Sequence, residues 1–262
     1  MAVVSTLRID KNGPVVTIRL NRPQLKNAFN AAVIAELQEA FASLTLADRV
    51  VVLTGVGEVF CAGADLAWMK AGVEQSKDEI RQEAREMAAM FKAIDEAPRV
   101  VIGRINGPAF GGGLGLVACC DVAIAAETAK FAFSEARLGL VPAVIGPFVL
   151  RKMGVSWTRR YFLTAETFSA SQALAMGLIH RMVAPAELDD EVAATVNAAL
   201  QCGPGAVVEA KRLIAATQGL PLDQALESAA EAISRLRVSG EGQEGLSAFL
   251  EKREPSWKGS LS

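Results

Sequence analysis

Residues 105–116 read INGPAFGGGLGL: three consecutive glycines and a fourth two places on, set between two apolar runs. A glycine inside regular structure costs about 0.5–1 kcal/mol of stability, so this density asks for a compensating purpose. Two chemistries place glycines at a helix start. In the first the loop cradles a phosphate. GLGLVA at 113–118 fits Gly-x-Gly-x-x-Ala, and an acidic residue, Glu135, lies downstream, as in a dinucleotide site. Against this, the segment NGPAF separates the strand-like run from the glycines, and Gly-x-x-x-x-Gly-Lys-[Ser/Thr] occurs nowhere. In the second chemistry the bare backbone approaches a carbonyl oxygen, because the first N–H groups of a helix have no intrahelical partner. A second small-residue corner, FCAGADL at 60–66, also joins a strand-like to a helix-like stretch. Two such corners converging on one oxygen would hold an enolate or tetrahedral oxyanion, each donor worth about 3 kcal/mol in the transition state.

Other chemistries lack their residues. The single histidine, His180 in MGLIHRMV, has no nucleophile motif beside it, and no Gly-x-Ser-x-Gly elbow exists. A Ser-His-Asp hydrolase and a zinc site are both left without parts. Cys61, Cys119, Cys120 and Cys202 form no Cys-x-x-Cys and read as buried free thiols of a reducing compartment. A formal net charge of −2 gives no hint of the basic patch that nucleic acid or an anionic membrane as the main partner would need. No apolar run reaches the roughly 20 residues of a membrane span, and MAVVSTLRIDKNG resembles no targeting leader. A soluble cytoplasmic enzyme is the expectation.

These corners must be positioned by a scaffold. LRIDKNGPVVTIRL at 7–20 reads as a hairpin about Asn12-Gly13-Pro14, and NRPQLKNAFN as a loop. Phe29, Val33, Leu37, Ala40, Phe41 and Leu44 recur at helical spacing behind Asn30 as N-cap. VVVLT at 50–54 is a buried strand, and Asp65 caps the helix after FCAGADL. Residues 70–96 are charged and helix-periodic, with Ile80, Ala84, Met87, Met90, Phe91 and Ile94 forming an apolar stripe whose methionines read as core filling. Strands at 99–105, in DVAIAA and in KFAFSE follow. This alternation up to about residue 185 predicts a parallel α/β sheet with crossover helices. Beyond it only helices are expected, at 187–201, 204–217, 222–237 and 241–253, with Leu246, Phe249 and Leu250 exposed for a neighbouring subunit.

FCAGADL, INGPAFGGGLGLVACCDVAIA, FSEARLGLVP, ALAMGLIHRMV and GLSAFLEKREPSWKG together resemble the crotonase (enoyl-CoA hydratase/isomerase) superfamily, in its motif order and over essentially the whole chain. The resemblance implies a ClpP-like α/β fold of repeated ββα units. It also implies a core at residues 1–185 that carries the acyl-CoA site, and a helical region at 186–262 that builds homotrimers or hexamers as dimers of trimers. The substrate would be an acyl-CoA thioester, with no metal and no cofactor beyond the coenzyme A of the substrate. By motif, Ala64 and Gly112 match the two oxyanion N–H donors and Glu135 the catalytic carboxylate, its pKa raised by apolar neighbours such as Phe133, Leu138 and Val141. Ala62, Asp65 and Leu66 would line the substrate cleft. Arg22, Lys26 and Lys252 are candidates for the CoA phosphates, and Arg137 for a carboxylate on the acyl chain.

One position departs from the hydratase pattern. The first of two expected glutamates falls on Gly115. A single carboxylate can orient water and serve both ends of a syn addition, or it can shuttle a proton between Cα and Cγ as an isomerase does. SEARLGLVPAVIGPFVLRKMG with GGGLGLVACCD looks most like bacterial methylglutaconyl-CoA or isohexenylglutaconyl-CoA hydratases, enzymes of leucine or acyclic-terpene breakdown. Hydration is therefore favoured over isomerisation. Dehalogenase-like members need an aspartate where this chain has Ala143. The rivals from other classes are a catalytically silent acyl-CoA-binding scaffold, opposed by the retained corners and Glu135, and an RNA-binding protein, opposed by the acidic balance.

Overall fold

The computed structural model describes residues 5–258, so the start of the stretch read for a leader and the end of the GLSAFLEKREPSWKG motif lie outside the described residues. The predicted hairpin forms. β1 (Leu7–Asn12) and β2 (Val15–Leu20) pair antiparallel, Leu7 opposite Leu20 and Asn12 opposite Val15. β2 alternates between buried and half-buried residues along VVTIRL, the period-2 signature of a strand between two unlike faces. α1 (Ala31–Ala42) begins where Asn30 accepts a hydrogen bond from Val33 N–H and buries Val33, Ile34, Leu37, Ala40 and Phe41.

β3 (Val50–Gly55) is buried throughout, as a strand covered on both faces must be. α2 (Leu66–Ala71) and α3 (Lys77–Asp95) follow. The helix expected behind Asp65 is α2, and the one expected at 70–96 starts only at Lys77. The chain leaves α2 through a 3-10 turn at Gly72–Glu74, and α3 restarts on a capping box in which Ser76 and Glu79 satisfy each other's backbone N–H groups. The apolar periodicity of α3 masked this stop.

β4 (Val100–Ile105), β5 (Ala109–Phe110), α4 (Gly112–Cys119), β6 (Val122–Ala126), β7 (Lys130–Ala132), α5 (Gly146–Thr164, broken at Gly154), β8 (Phe168–Ser169), α6 (Ala170–Ala175) and β9 (Arg181–Val183) complete the α/β part. Among the described residues the main sheet has the order β1-β2-β3-β4-β6-β9, parallel from β2 onward, and β5, β7 and β8 form a second small sheet. α1, α3 and α4 cover one face of the main sheet in one apolar cluster. Against the other face lies α7 (Leu188–Gln201), whose Leu188, Val192, Val196 and Leu200 meet Val50, Val52, Ile102 and Ile124. Every fourth residue along α7 therefore faces the sheet, as one helix stripe requires.

α8 (Pro204–Thr217), α9 (Leu222–Val238) and α10 (Gly240–Leu250) end the chain. Arg49 ties this region to the sheet. Its guanidinium donates to the carbonyls of Leu200 (3.1 Å), Cys202 (2.6 Å) and Trp257 (2.9 Å). Phe249 and Leu250 on α10 remain about four-fifths exposed. Cys202, at the C-cap of α7, is exposed, which corrects the expectation that all four thiols are buried; Cys61, Cys119 and Cys120 are. Among the described residues no helix is long and apolar enough to cross a membrane.

The loop before α1 is held by one buried amide. Asn27 lies in left-handed backbone (φ 55°). Its Nδ2 donates to Val56 O (2.9 Å) and Val59 O (2.7 Å), and its Oδ1 accepts from Arg22 N–H (3.0 Å). Replacing it with alanine strands buried polar groups and adds a left-handed penalty, so Asn27→Ala is expected to destabilise the fold by about 2–4 kcal/mol. Urea unfolding measures this directly, and an unchanged midpoint contradicts the role given to the amide.

Candidate active site

The two small-residue corners meet. Phe29 forms a parallel bridge to Ala64, its N–H donating to Gly63 O (2.9 Å) and its carbonyl accepting from Asp65 N–H (2.9 Å). In a parallel ladder the residue straddled in this way turns its own N–H to the opposite side. Among the described residues the Ala64 N–H meets no acceptor. Cys61 braces the corner through a bridge to Ala109, donating to Pro108 O and accepting from Phe110 N–H. Gly63 itself has φ +87°, and a Cβ there would lie 2.7 Å from Phe110 O and 3.1 Å from Gly112 N. Only glycine lets the corners approach so closely.

The second donor comes from the small sheet. β5 pairs with β7, Ala109 opposite Phe131 and Phe110 opposite Ala132, and Gly111 N–H extends the ladder to Ala132 O (2.9 Å). Gly111 then turns left-handed (φ 49°) and starts α4, with Gly112 as its first residue. Among the described residues the Gly112 N–H also has no protein acceptor, as expected in a first helical turn. α4 is buried from Gly113 to Cys119, which weakens screening of its N-terminal partial charge. A Cβ at Gly112 would meet the Phe29 ring at 2.4 Å, so the residue beside one donor shapes the backbone of the other.

β7 also delivers the carboxylate. The chain leaves it through Phe133 and Ser134 into a 3-10 turn that begins at Glu135. Phe133 is anchored against Phe162 and Phe168, with Tyr161 stacked on Phe168. Glu135 Oε1 lies 2.9 Å from the point where a Gly111 Cβ would stand, beside the start of α4. Its Oε2 is buried without a hydrogen-bond partner among the described residues. Burial raises its pKa above the ordinary glutamate value, partly offset by a bond from its own backbone N–H. The cause expected from the sequence, desolvation by apolar surroundings, dominates.

Position 115 is closed. A Cβ on Gly115 would fall 2.3 Å from Ile145 Cγ2 and 2.7 Å from the Phe91 ring. No carboxylate fits here without displacing both side chains, which leaves Glu135 as the one carboxylate among the described lining residues.

These residues open onto a cleft of about 530 Å³. Ala62, Ala64, Leu66, Gly112, Glu135 and Arg137 all line it. Among the described lining residues only Ser134, Glu135 and Arg137 carry polar side chains. Ile80, Ala84 and Met87 of α3 form one wall, and Leu140 to Ile145 another. The periodicity of α3 signalled these positions but assigned them to the core. Met90 is core, whereas Met87 reaches the cleft.

Four other sequence candidates lie off the wall. Asp65 caps α2, accepting from Ala67 N–H (3.0 Å), and pairs with Arg22 (3.0 Å). Burial works to raise its pKa, but Arg22 and the helix N–H groups hold it below the ordinary value. Arg22 also donates to Ala28 O, so both charges brace the Phe29 corner. Lys26 and Lys252 are exposed residues in left-handed backbone and are not in the cleft lining. His180 Nδ1 accepts from Ala123 N–H (2.9 Å), a structural bond, and burial lowers its pKa. The Cys61 thiol, below the corner, is pushed up to about 12 by burial and stays protonated.

Residues 10–260 match the sequence family described as Enoyl-CoA hydratase/isomerase. The chain is 33% identical over 259 residues to the crotonyl-CoA hydratase of Syntrophomonas wolfei, covering 95% of this chain and 96% of that one. Among solved structures, an enoyl-CoA hydratase from Shewanella pealeana superposes with a TM-score of 0.92 at 39% identity, over 96% of each chain. Pseudomonas aeruginosa AtuE gives 0.93 at 35% identity, over 97% of this chain and 99% of that one.

The buried carboxylate predicts a pH-dependent cost. Below the ordinary glutamate pKa both folded and unfolded chains hold the proton, and the group contributes nothing. As pH rises the unfolded chain ionises first, so stability falls until the raised native pKa is passed. Glu135→Gln removes this loss. The variant should be more stable than the wild type at mildly alkaline pH, with the gap closing in acid. Equal denaturation midpoints at both pH values contradict the desolvated site.

Proposed function

The chain belongs to the enoyl-CoA hydratase/isomerase family, and we propose that it hydrates the 2,3 double bond of an enoyl-CoA thioester. The thioester oxygen sits between the Ala64 and Gly112 N–H groups, which draw electron density from the conjugated double bond and make Cβ electrophilic. Glu135 takes a proton from water as the oxygen–Cβ bond forms, and the π electrons move to an enolate held by the two donors. Glu135 then returns the proton to Cα, and one carboxylate on one face gives syn addition. The raised pKa suits both halves, because the group must accept and release a proton near neutral pH. The reaction is redox-neutral and needs no cofactor beyond the coenzyme A of the substrate.

The observation that carries this reading is the desolvated Glu135 beside two N–H groups without acceptors among the described residues. The closed position 115 also favours a second reading, isomerisation, in which Glu135 carries a proton between Cα and Cγ. Hydration is preferred because Ser134 and Arg137 give the cleft polar groups that proton shuttling along an alkyl chain does not use.

For the acyl group we favour a branched chain with its own carboxylate, of methylglutaconyl type. Arg137 is the one cation of the described lining, in walls otherwise apolar. Lys26 and Lys252 are assigned to the CoA phosphates, for which their exposure leaves them available. The helices within 186–262 are assigned to assembly of a trimer or hexamer, a role that the exposed Phe249 and Leu250 support.

The test incubates wild type, Glu135→Gln and Arg137→Ala with crotonyl-CoA, 3-methylglutaconyl-CoA and a 3-enoyl-CoA, and analyses products by mass and chromatography. Wild type should add one water. Glu135→Gln should lose about a thousandfold or more in turnover while still binding thioester, and Arg137→Ala should lose preference for the acidic chain. Isomers of unchanged mass as the sole products overturn hydration.

A further inference from the structure

Water adding to a double bond needs its lone pair aimed at Cβ, and one carboxylate fixes only one of its two hydrogens. A second acceptor on the same side of the cleft would fix the other and aim the lone pair. Position 115 supplies none, since Phe91 and Ile145 fill that space. The walls contributed by α3 and by residues 138–145 are apolar. Arg137 carries donors alone and cannot accept.

Ser134 remains. It lines the cleft directly before Glu135 and stands at the N-cap of the 3-10 turn that carries that residue, with φ −84° and ψ −5°. A serine at an N-cap ordinarily spends its hydroxyl on a backbone N–H of the following turn. Here no such bond forms, so the hydroxyl, in the cleft lining one residue before Glu135, is not spent on the turn.

We infer that Ser134 positions the attacking water, its hydroxyl oxygen accepting the hydrogen that is not transferred while Glu135 takes the other. The inference rests on the hydration reading. The proton balance is unchanged by it: Glu135 receives one proton and returns it to Cα, and Ser134 keeps its own. Ser134 acts on the nucleophile and not on the thioester. Enolisation at Cα needs only Glu135 and the two N–H groups, so the two activities should separate on removing the hydroxyl.

The experiment compares wild type and Ser134→Ala in two assays. One is hydration of the enoyl-CoA that the wild type turns over best. The other is exchange of the Cα hydrogens of butyryl-CoA in deuterium oxide, a saturated thioester with no double bond to hydrate. Removing the hydroxyl should lower hydration kcat by about 10- to 100-fold, the scale of a lost orienting contact, with KM and Cα exchange within about threefold of wild type. Equal loss of both activities would mean that Ser134 merely supports Glu135 or the fold, and it overturns the inference. Hydration unaffected by Ser134→Ala overturns it as well, while leaving the hydration reading intact. A wild-type protein that exchanges Cα hydrogens but adds no water to any enoyl-CoA sinks the hydration reading and this inference together.

Discussion

Phe29 spends both of its backbone groups on the residues that flank Ala64, and the rest of the site depends on that bridge. It turns the Ala64 N–H into the cleft without any side chain. The Phe29 ring then fills the space beside Gly112, where a Cβ would collide with it, so the same residue sets both donors. What lies behind it serves the bridge. The Asn27 amide holds the preceding loop, the Arg22–Asp65 pair ties that loop to the start of α2, and Cys61 fixes the corner to β5. Preorganised donors stabilise developing charge without reorganising during reaction, and a set of backbone ladders would preorganise the Ala64 and Gly112 N–H groups for that role.

The small β5-β7-β8 sheet does the corresponding work for the acid. One of its strands leads to Gly112 and the neighbouring strand leads to Glu135, so a single ladder sets the spacing between the Gly112 N–H and the carboxylate. An aromatic cluster beneath β7 and β8 keeps that ladder from shifting. The cleft it faces is largely apolar, which raises the Glu135 pKa at the expense of folding stability. That exchange is common where a group must be both buried and ionisable.

Much of this was legible in the sequence because its causes are local. The hairpin, the Asn30 cap, the glycines before a helix and Glu135 each carry their signal within a few residues. The rest depended on contacts between distant segments. β5 and β8 are two residues long and carry no pattern. The sequence shows that position 115 lacks a glutamate, whereas Phe91 and Ile145 show that there is no room for one. The late start of α3 at Lys77 was hidden because helical periodicity runs on from residue 70, and Met87 looked like its core neighbour Met90. Arg22 and Asp65 read as ligand-binding charges because nothing in their spacing announces that they bind each other.

Two backbone N–H groups flanking a thioester oxygen would polarise it before any proton moves. Vibrational spectroscopy of crotonyl-CoA carrying a ¹³C label at the thioester carbonyl, bound to the Glu135→Gln protein, reads this directly because the complex turns over too slowly to consume the ligand during the measurement. The C=O stretch should fall well below its value for the free thioester in water, and the conjugated C=C band should shift with it. A bound carbonyl whose frequency matches the free thioester would contradict the account.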